Sequence, residues 1–248
     1  MDALIIAAGF GSRLLDVSSS KPLTPVAGVP LIELGVRQAQ AAGVRRVVVV
    51  TGHEAVRVEA FLSDLAARTG ITIVAERCAD WSLPNGYSVM AGAARIAGDY
   101  LLMMADHIFS TPILRNLAAQ GDTARGVTLA IDRRVVSPLI DPDDATWVKM
   151  ADNGRITAIG KTIADYDAVD CGAFLATAEL ASAIAAAIRA GKTGSLSDGM
   201  QVLADAGRAA TMDVGSDEYD AWWMDVDDAR AHAIAEDQAP RYLRAIYG

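Results

Sequence analysis

Short unbroken apolar runs alternate with longer amphipathic blocks through the first 132 residues, and few folds accept that pattern. Ala3–Ala8 reads as a strand buried on both faces and Arg46–Thr51 as a second buried strand, and Ile71–Glu76, Tyr100–Ala105 and Val127–Asp132 read as further strands. Between them Leu31–Ala42, Glu54–Arg68, Tyr87–Ile96 and Thr111–Ala119 read as helices, with Gly43 and Gly70 as stop signals. A β-α repeat of this kind predicts a mostly parallel sheet with helices on both faces. Ligands of such sheets bind beyond the carboxyl ends of the strands. The loops after Ala8, Val50, Glu76 and Ala105 all fall at that edge.

The second half changes character. Val136–Thr146 is rich in Pro and Asp and reads as a loop, and Asn153-Gly154 joins Trp147–Ala151 to Arg155–Gly160 as a hairpin. Asp170–Ala176, Ala209–Val214 and Trp222–Val226 read as strands. Ala178–Ala190, Leu196–Ala206 and the chain from Asp227 onward read as helices. There is no linker or repeat, so residues 1–248 are expected to form one domain with halves 1–132 and 133–248.

Composition removes several classes of function. With 22 Lys+Arg against 31 Asp+Glu the net charge is −9, and a nucleic-acid partner would need a basic stripe. The two cysteines, Cys78 and Cys171, belong to no CxxC or Cys/His cluster, which argues against a disulfide framework or a zinc site. Asp2 stands where a signal peptide would be basic, and no apolar run reaches the length of a membrane span. A soluble cytoplasmic protein is expected.

Four places carry chemistry. Ala7-Ala8-Gly9-Phe10-Gly11-Ser12-Arg13 follows the first strand, with Lys21 close behind. Two glycines let backbone N–H groups close around phosphate oxygens, and Arg13 and Lys21 add cations. A tight turn flanked by surface cations explains the same residues equally well. Leu14 breaks a dinucleotide fingerprint, and no Gly-Lys-Ser/Thr follows to make a Walker A loop. Asp106 ends a buried strand at the ligand edge and suits a metal ion, or a helix cap. In Trp222-Trp223-Met224-Asp225-Val226-Asp227-Asp228, an extended backbone puts Asp225 and Asp227 on one face. Asn85-Gly86-Tyr87-Ser88 reads as a turn and helix start.

Ala7-Ala8-Gly9-Phe10-Gly11-Ser12-Arg13-Leu14, Lys21-Pro22-Leu23 and Gly28-Val29-Pro30-Leu31 fall in the order and spacing of a known signature. The chain resembles the nucleotidyltransferase superfamily of sugar-phosphate nucleotidyltransferases and CTP:phosphoalcohol cytidylyltransferases. The resemblance runs to about residue 236. It implies a three-layer α/β/α, Rossmann-like, mostly parallel mixed sheet of the nucleotide-diphospho-sugar transferase type, with a small substrate-side β-hairpin insertion. Residues 1–132 would bind the nucleotide and 133–248 the acceptor.

Carried over on matching motifs, the nucleotide contacts would be Ala7, Ala8, Gly9, Phe10, Gly11, Ser12, Arg13, Lys21, Thr51, Gly52, Asn85, Gly86, Ser88 and Asp106. Mg²⁺ would be held by Asp106 and Asp225, with Asp227 as the alternative to Asp225. Lys161 after Gly160 would bind the acceptor phosphate, beside His107, Asp170 and Gly172. Arg13, Lys21, Asp106, Lys161 and Asp225 would carry the catalysis. His53 lies in a loop similar to one that lines the base pocket, and reads equally as an ordinary loop histidine.

Asp106-His107-Ile108-Phe109, Asp143-Asp144-Ala145-Thr146-Trp147-Val148, Gly160-Lys161 and Ser195-Leu196-Ser197-Asp198-Gly199-Met200 are similar to the CTP:inositol-1-phosphate cytidylyltransferases. The implied substrates are CTP and a phosphorylated alcohol, inositol 1-phosphate. A membrane phosphotransferase would use the product, and a homodimer is left open. A phosphocholine or aminoalkylphosphonate cytidylyltransferase is the alternative, with Tyr166, Trp222 and Trp223 as an aromatic cage for a cation. A sugar-1-phosphate nucleotidyltransferase is a second alternative.

Overall fold

The computed structural model describes residues 1–14, 16–215 and 221–247. Strand β1 (Asp2–Ala7) opens the chain. A short ribbon, β2 (Pro25–Val26) and β3 (Val29–Pro30), precedes α1 (Leu31–Ala41). Next come β4 (Arg46–Thr51), α2 (Ala55–Thr69), β5 (Thr72–Arg77), α3 (Asn85–Ala93), β6 (Tyr100–Met104), β7 (His107–Phe109), α4 (Thr111–Gln120) and β8 (Val127–Asp132). The second half adds β9 (Trp147–Met150), β10 (Ile156–Gly160), β11 (Ala168–Ala176), α5 (Ala178–Arg189) and α6 (Leu196–Asp205). It ends with β12 (Ala209–Asp213), β13 (Trp223–Asp225), α7 (Ala229–Tyr242) and α8 (Arg244–Tyr247). No helix among the described residues is long and apolar enough to cross a membrane.

The main sheet runs β10-β9-β11-β6-β1-β4-β5, with β8 and then β12 branching from β11. β1 pairs in parallel with β4 and β6, and β4 with β5, as the β-α repeat predicts. β11 is antiparallel to β6, β8 and β9, which makes the sheet mixed. Strand period sets the layers. Ala3, Ile5, Val47, Val49, Leu101 and Met103 face one way, onto Ile32, Val58, Leu62, Ile113 and Leu117 of α1, α2 and α4. Leu4, Ile6, Val48, Val50 and Leu102 face the other way, onto Val89, Leu180, Ile184, Met200 and Leu203 of α3, α5 and α6. Successive residues thus fill opposite cores, which is why the strands read as unbroken apolar runs.

A third apolar cluster fixes the ligand edge. Leu14, Val26, Leu31 and Leu34 pack with Ile108, Trp222, Met224, Val226, Ala235 and Ala239. It contains the small antiparallel ribbon β7–β13, where His107 lies opposite Asp225 and Phe109 opposite Trp223. The sequence reading has no strand at residues 107–109, because three residues give no periodicity and the partner is distant in the chain. The Asn153-Gly154 hairpin is present as expected. Ala151 N–H bonds to Arg155 O at 2.9 Å and Gly154 takes φ +73°, so the loop holds three residues and a bulge. α3 starts at Asn85 rather than Tyr87, directly after Pro84. α6 starts on a capping box in which Ser195 Oγ accepts from Asp198 N–H and Asp198 accepts from Ser195 N–H.

Glu33 ties two helices together. It is buried in the first turn of α1, and Arg68 at the end of α2 bonds both its oxygens at 3.0 and 2.8 Å. Arg37 adds a further bond at 2.8 Å. The Arg68 hydrogen bonds, helped by Arg37 and opposed by burial, lower the Glu33 pKa. The stabilisation is therefore full above the ordinary glutamate range and is lost as pH falls through the lowered folded value. Glu33→Ala should cost about 2 kcal/mol at neutral pH. In urea titrations the gap to wild type should close on acidification.

Candidate active site

The loop after β1 folds into two single helical turns, Ser12–Leu14 and Lys21–Leu23, which deliver Arg13 and Lys21 to the sheet edge. Gly11 takes φ +66°, and a Cβ there would lie 2.8 Å from Lys21 Cδ. Glycine thus lets the lysine stem pass against the loop. Lys21 Nζ sits 2.5 Å from Asp106 Oδ2 and also contacts Asp227 Oδ1. Arg13 Nη2 lies 2.7 Å from Asp144 Oδ2 and contacts Asp227 Oδ2. Lys161, directly after β10, reaches the other oxygen of Asp144 at 2.5 Å. One carboxylate therefore joins a cation of the first half to a cation of the second.

His107 faces the same cluster. Its Nδ1 is 2.7 Å from Asp106 Oδ1 and 3.7 Å from Asp225 Oδ1. An ionised carboxylate only accepts, so Nδ1 carries the proton. Trp223 stacks near-parallel to the ring at 6.2 Å between centroids. On another side Gly172 takes φ +77° at an irregularity in β11, and a Cβ there would lie 2.5 Å from His107 Cδ2. Glycine is required at 172 both by the backbone and by the imidazole.

The charges are strongly interdependent. Burial opposes the charged form of Lys21, but Asp106, Asp227 and Asp225 outweigh it and raise the pKa. Burial likewise opposes ionised Asp106, yet Lys21 and His107 pull its pKa well below the usual carboxylate range. Burial disfavours charged His107, while Asp225 and Asp106 raise its pKa to about 9. For Asp225, burial raises the pKa to about 7; His107 opposes this and Asp106 and Asp227 add to it. Asp227 is raised by burial and by Asp106. Asp144 is lowered against burial by its hydrogen bonds, among them those from Arg13 and Lys161. Asp170 is raised to about 6 by burial, although Gly172 N–H donates to it at 2.7 Å.

These residues suit a divalent cation. Asp106, His107 and Asp225 offer ligand atoms within 4.8 Å of one another, and so do Asp144, Asp225 and Asp227. Asp225 belongs to both groups, and its Oδ1 is buried without a hydrogen-bond partner. A buried acceptor with no donor is the group a metal ion satisfies. Both oxygens of Asp106 and of Asp227 are engaged by the protein's own donors, so among these acids the unpartnered Oδ1 of Asp225 favours Asp225 over Asp227.

Two connected hollows adjoin the cluster and share Asn85, Met104 and Asp106. The first is lined by Ala8, Gly9, Gly11, Lys21, Ser88 and Trp81. The second is lined by His107, Asp144, Thr146, Lys161, Asp170, Gly172, Asp225 and Asp227. Most residues expected at a site are therefore brought together. Some are not. Ala7 lies in the core, and Thr51 is buried with its hydroxyl donating to Glu59 at 2.8 Å. A Cβ on Gly52 would meet the Ala8 carbonyl and Trp81 Cβ at 2.6 Å, and one on Gly86 would meet Ile184 Cγ2 at 2.9 Å. Both glycines serve close packing, and neither lines either hollow. Asn85 lines both hollows, but its Oδ1 accepts from Leu196 N–H at 2.8 Å and ties α3 to α6. Phe10 and Ser12 lie on the loop outside the lining. Asp144 was missed as a site residue: it stands in the 143–148 motif, but nothing local tells it apart from Asp143.

Residues 3–144 match the MobA-like NTP transferase domain. A protein of Rubrobacter xylanophilus named "Bifunctional IPC transferase and DIPP synthase" is 36% identical over 70% of this chain and 38% of its own length. A protein of the same name from Aquifex aeolicus is 30% identical over 91% of this chain and 48% of its own length. The chain thus spans less than half the length of either relative. The structure of the inositol-1-phosphate CTP transferase from T. maritima superposes with a TM-score of 0.80 at 24% identity, covering 95% of this chain and 93% of that one. At that identity the likeness speaks for the fold. With a match across more than half its length, the chain belongs to the MobA-like NTP transferase domain family.

Proposed function

We propose that this protein is a Mg²⁺-dependent cytidylyltransferase that joins CTP to inositol 1-phosphate, giving CDP-inositol and pyrophosphate. The observation that carries the reading is the convergence of Arg13, Lys21 and Lys161 on one set of carboxylates, with a hollow on each side. The names of the relatives and of the T. maritima structure support the choice of substrates.

An oxygen of the acceptor phosphate attacks the α-phosphorus of CTP, the α–β bridging bond breaks, and pyrophosphate leaves with that electron pair. The attacking phosphate is already ionised at neutral pH, so no general base is needed. Catalysis is then placement and charge neutralisation. The Gly9–Gly11 backbone, Arg13 and Lys21 hold the triphosphate. Lys161 holds the acceptor phosphate. His107, whose Nδ1 donates to Asp106, and Asp170 face the acceptor's hydroxyls from the second hollow. A divalent ion on Asp106 and Asp225 would neutralise charge on the reacting phosphates.

The cation-cage alternative is disfavoured. Tyr166 stacks on Trp147 at 4.1 Å and Trp222 on Tyr242 at 5.0 Å, and of the three proposed aromatics only Trp223 lines the second hollow. A membrane phosphotransferase would consume the product. A cytoplasmic location and a homodimer fit the same reading.

Pyrophosphate release should be measured with Mg²⁺ for each nucleoside triphosphate against inositol 1-phosphate, phosphocholine and glucose 1-phosphate. CTP with inositol 1-phosphate should give the highest kcat/KM, and preference for another pair would overturn the substrate assignment. Asp106→Asn should lower kcat by roughly a thousandfold or more. Near wild-type turnover in that variant would sink the metal assignment. Lys161→Ala should raise KM for inositol 1-phosphate by on the order of tenfold while moving KM for CTP far less. Equal effects on both substrates would remove Lys161 from the acceptor side.

A further inference from the structure

We propose that the indole of Trp81 is the stacking face for the nucleobase of the bound triphosphate, with His53 wedged behind it as support. The inference rests on the nucleotidyl-transfer reading and assigns the base end of the nucleotide to a residue.

The first hollow has two chemically distinct walls. Lys21 and Asp106 supply the charged wall, where phosphates belong, and Trp81 and Leu83 supply an apolar one. Trp81 is 42% exposed, whereas Trp147, Trp222 and Trp223 are all buried. An indole left to water beside a polar cleft has lost the burial that usually holds a tryptophan in place. Its position is nevertheless fixed. Phe10 and Trp81 meet the His53 ring edge-on, at 4.7 and 5.2 Å between centroids. Gly52 lacks the Cβ that would lie 2.6 Å from Trp81 Cβ, so the loop seats directly on the end of β4. Asp80 Oδ1 accepts from Ser82 N–H at 3.0 Å and from Ser82 Oγ at 2.6 Å, which shapes the turn around residue 81. An exposed ring held in place at the apolar wall of a phosphate-binding cleft matches the flat, weakly hydrated face of a base.

Stacking tolerates any base, because every base presents a π-face. Trp81 therefore contributes affinity, and base identity is read by other groups. Trp81→Ala should raise KM for CTP and for UTP by the same factor, roughly tenfold. The loss should fall on nucleotide KM more than on kcat. CTP should quench the wild-type tryptophan fluorescence. Trp81→Phe keeps an aromatic ring and guards against a folding defect; it should still bind CTP by calorimetry but lose the quench. A KM for CTP within about twofold of wild type in Trp81→Ala, or a quench that survives in Trp81→Phe, overturns the proposal. A wild-type protein that releases no pyrophosphate with any substrate pair would sink the transferase reading alone. A nucleotide-dependent quench lost in Trp81→Phe would still place the base on Trp81.

Discussion

Asp106, Asp144, Asp225 and Asp227 crowd the end of one sheet, and their mutual repulsion is offset by cations threaded between them. Lys21 lies between Asp106 and Asp227, Arg13 between Asp227 and Asp144, and Lys161 beyond Asp144. Arg13 and Lys21 come from the loop after β1 and Lys161 from the end of β10, so the lattice of charge also ties those two stretches together. Burial strengthens every term, attractive and repulsive. The consequence is a set of unequal acids. Asp106 stays ionised against burial, while Asp225 is pushed up by burial and by its like-charged neighbours. Asp225 also keeps an oxygen without a donor. The protein's own cations stabilise the cluster incompletely, and the deficit falls on Asp225 and Asp227, of which Asp225 keeps the oxygen without a donor.

The surrounding fold is what makes such crowding possible. Asp106 follows a strand buried on both faces, and Asp225 ends a short ribbon strand paired with residues 107–109. The third apolar cluster clamps that ribbon against the loop that carries Arg13. Acids on loops without this support would move apart. Here packing of Leu14, Ile108, Trp222, Met224 and Val226 opposes their separation.

Much of this was legible in the sequence. Four strands of the first half, β1, β4, β6 and β8, were readable because each is buried on both faces and leaves an apolar run, whereas the edge strand β5 is half exposed and was readable from its β-branched residues. Arg13, Lys21, Asp106 and Asp225 were readable because they sit in motifs at fixed places relative to strand ends. What escaped has a common cause. The ribbon β7–β13 has too few residues for any period and pairs across a long separation. Asp144 gains its role only from the meeting of Arg13 and Lys161, which no local pattern encodes. Thr51 and Gly86 carried the right motif, yet Thr51 bonds to Glu59 and Gly86 packs against Ile184. A motif names residue types, and contacts decide which of them face the ligand.

β11 has a consequence for movement. It hydrogen-bonds to β6 of the first half along one stretch and to β9 of the second-half hairpin along another. The two halves of the chain are therefore joined in one continuous hydrogen-bonded sheet. Swinging one half against the other would have to bend or break that ladder. The spacing between the Lys21 and Lys161 ends of the carboxylate cluster is set by backbone ladders when the protein folds, and adjustment is left to side chains and connecting loops.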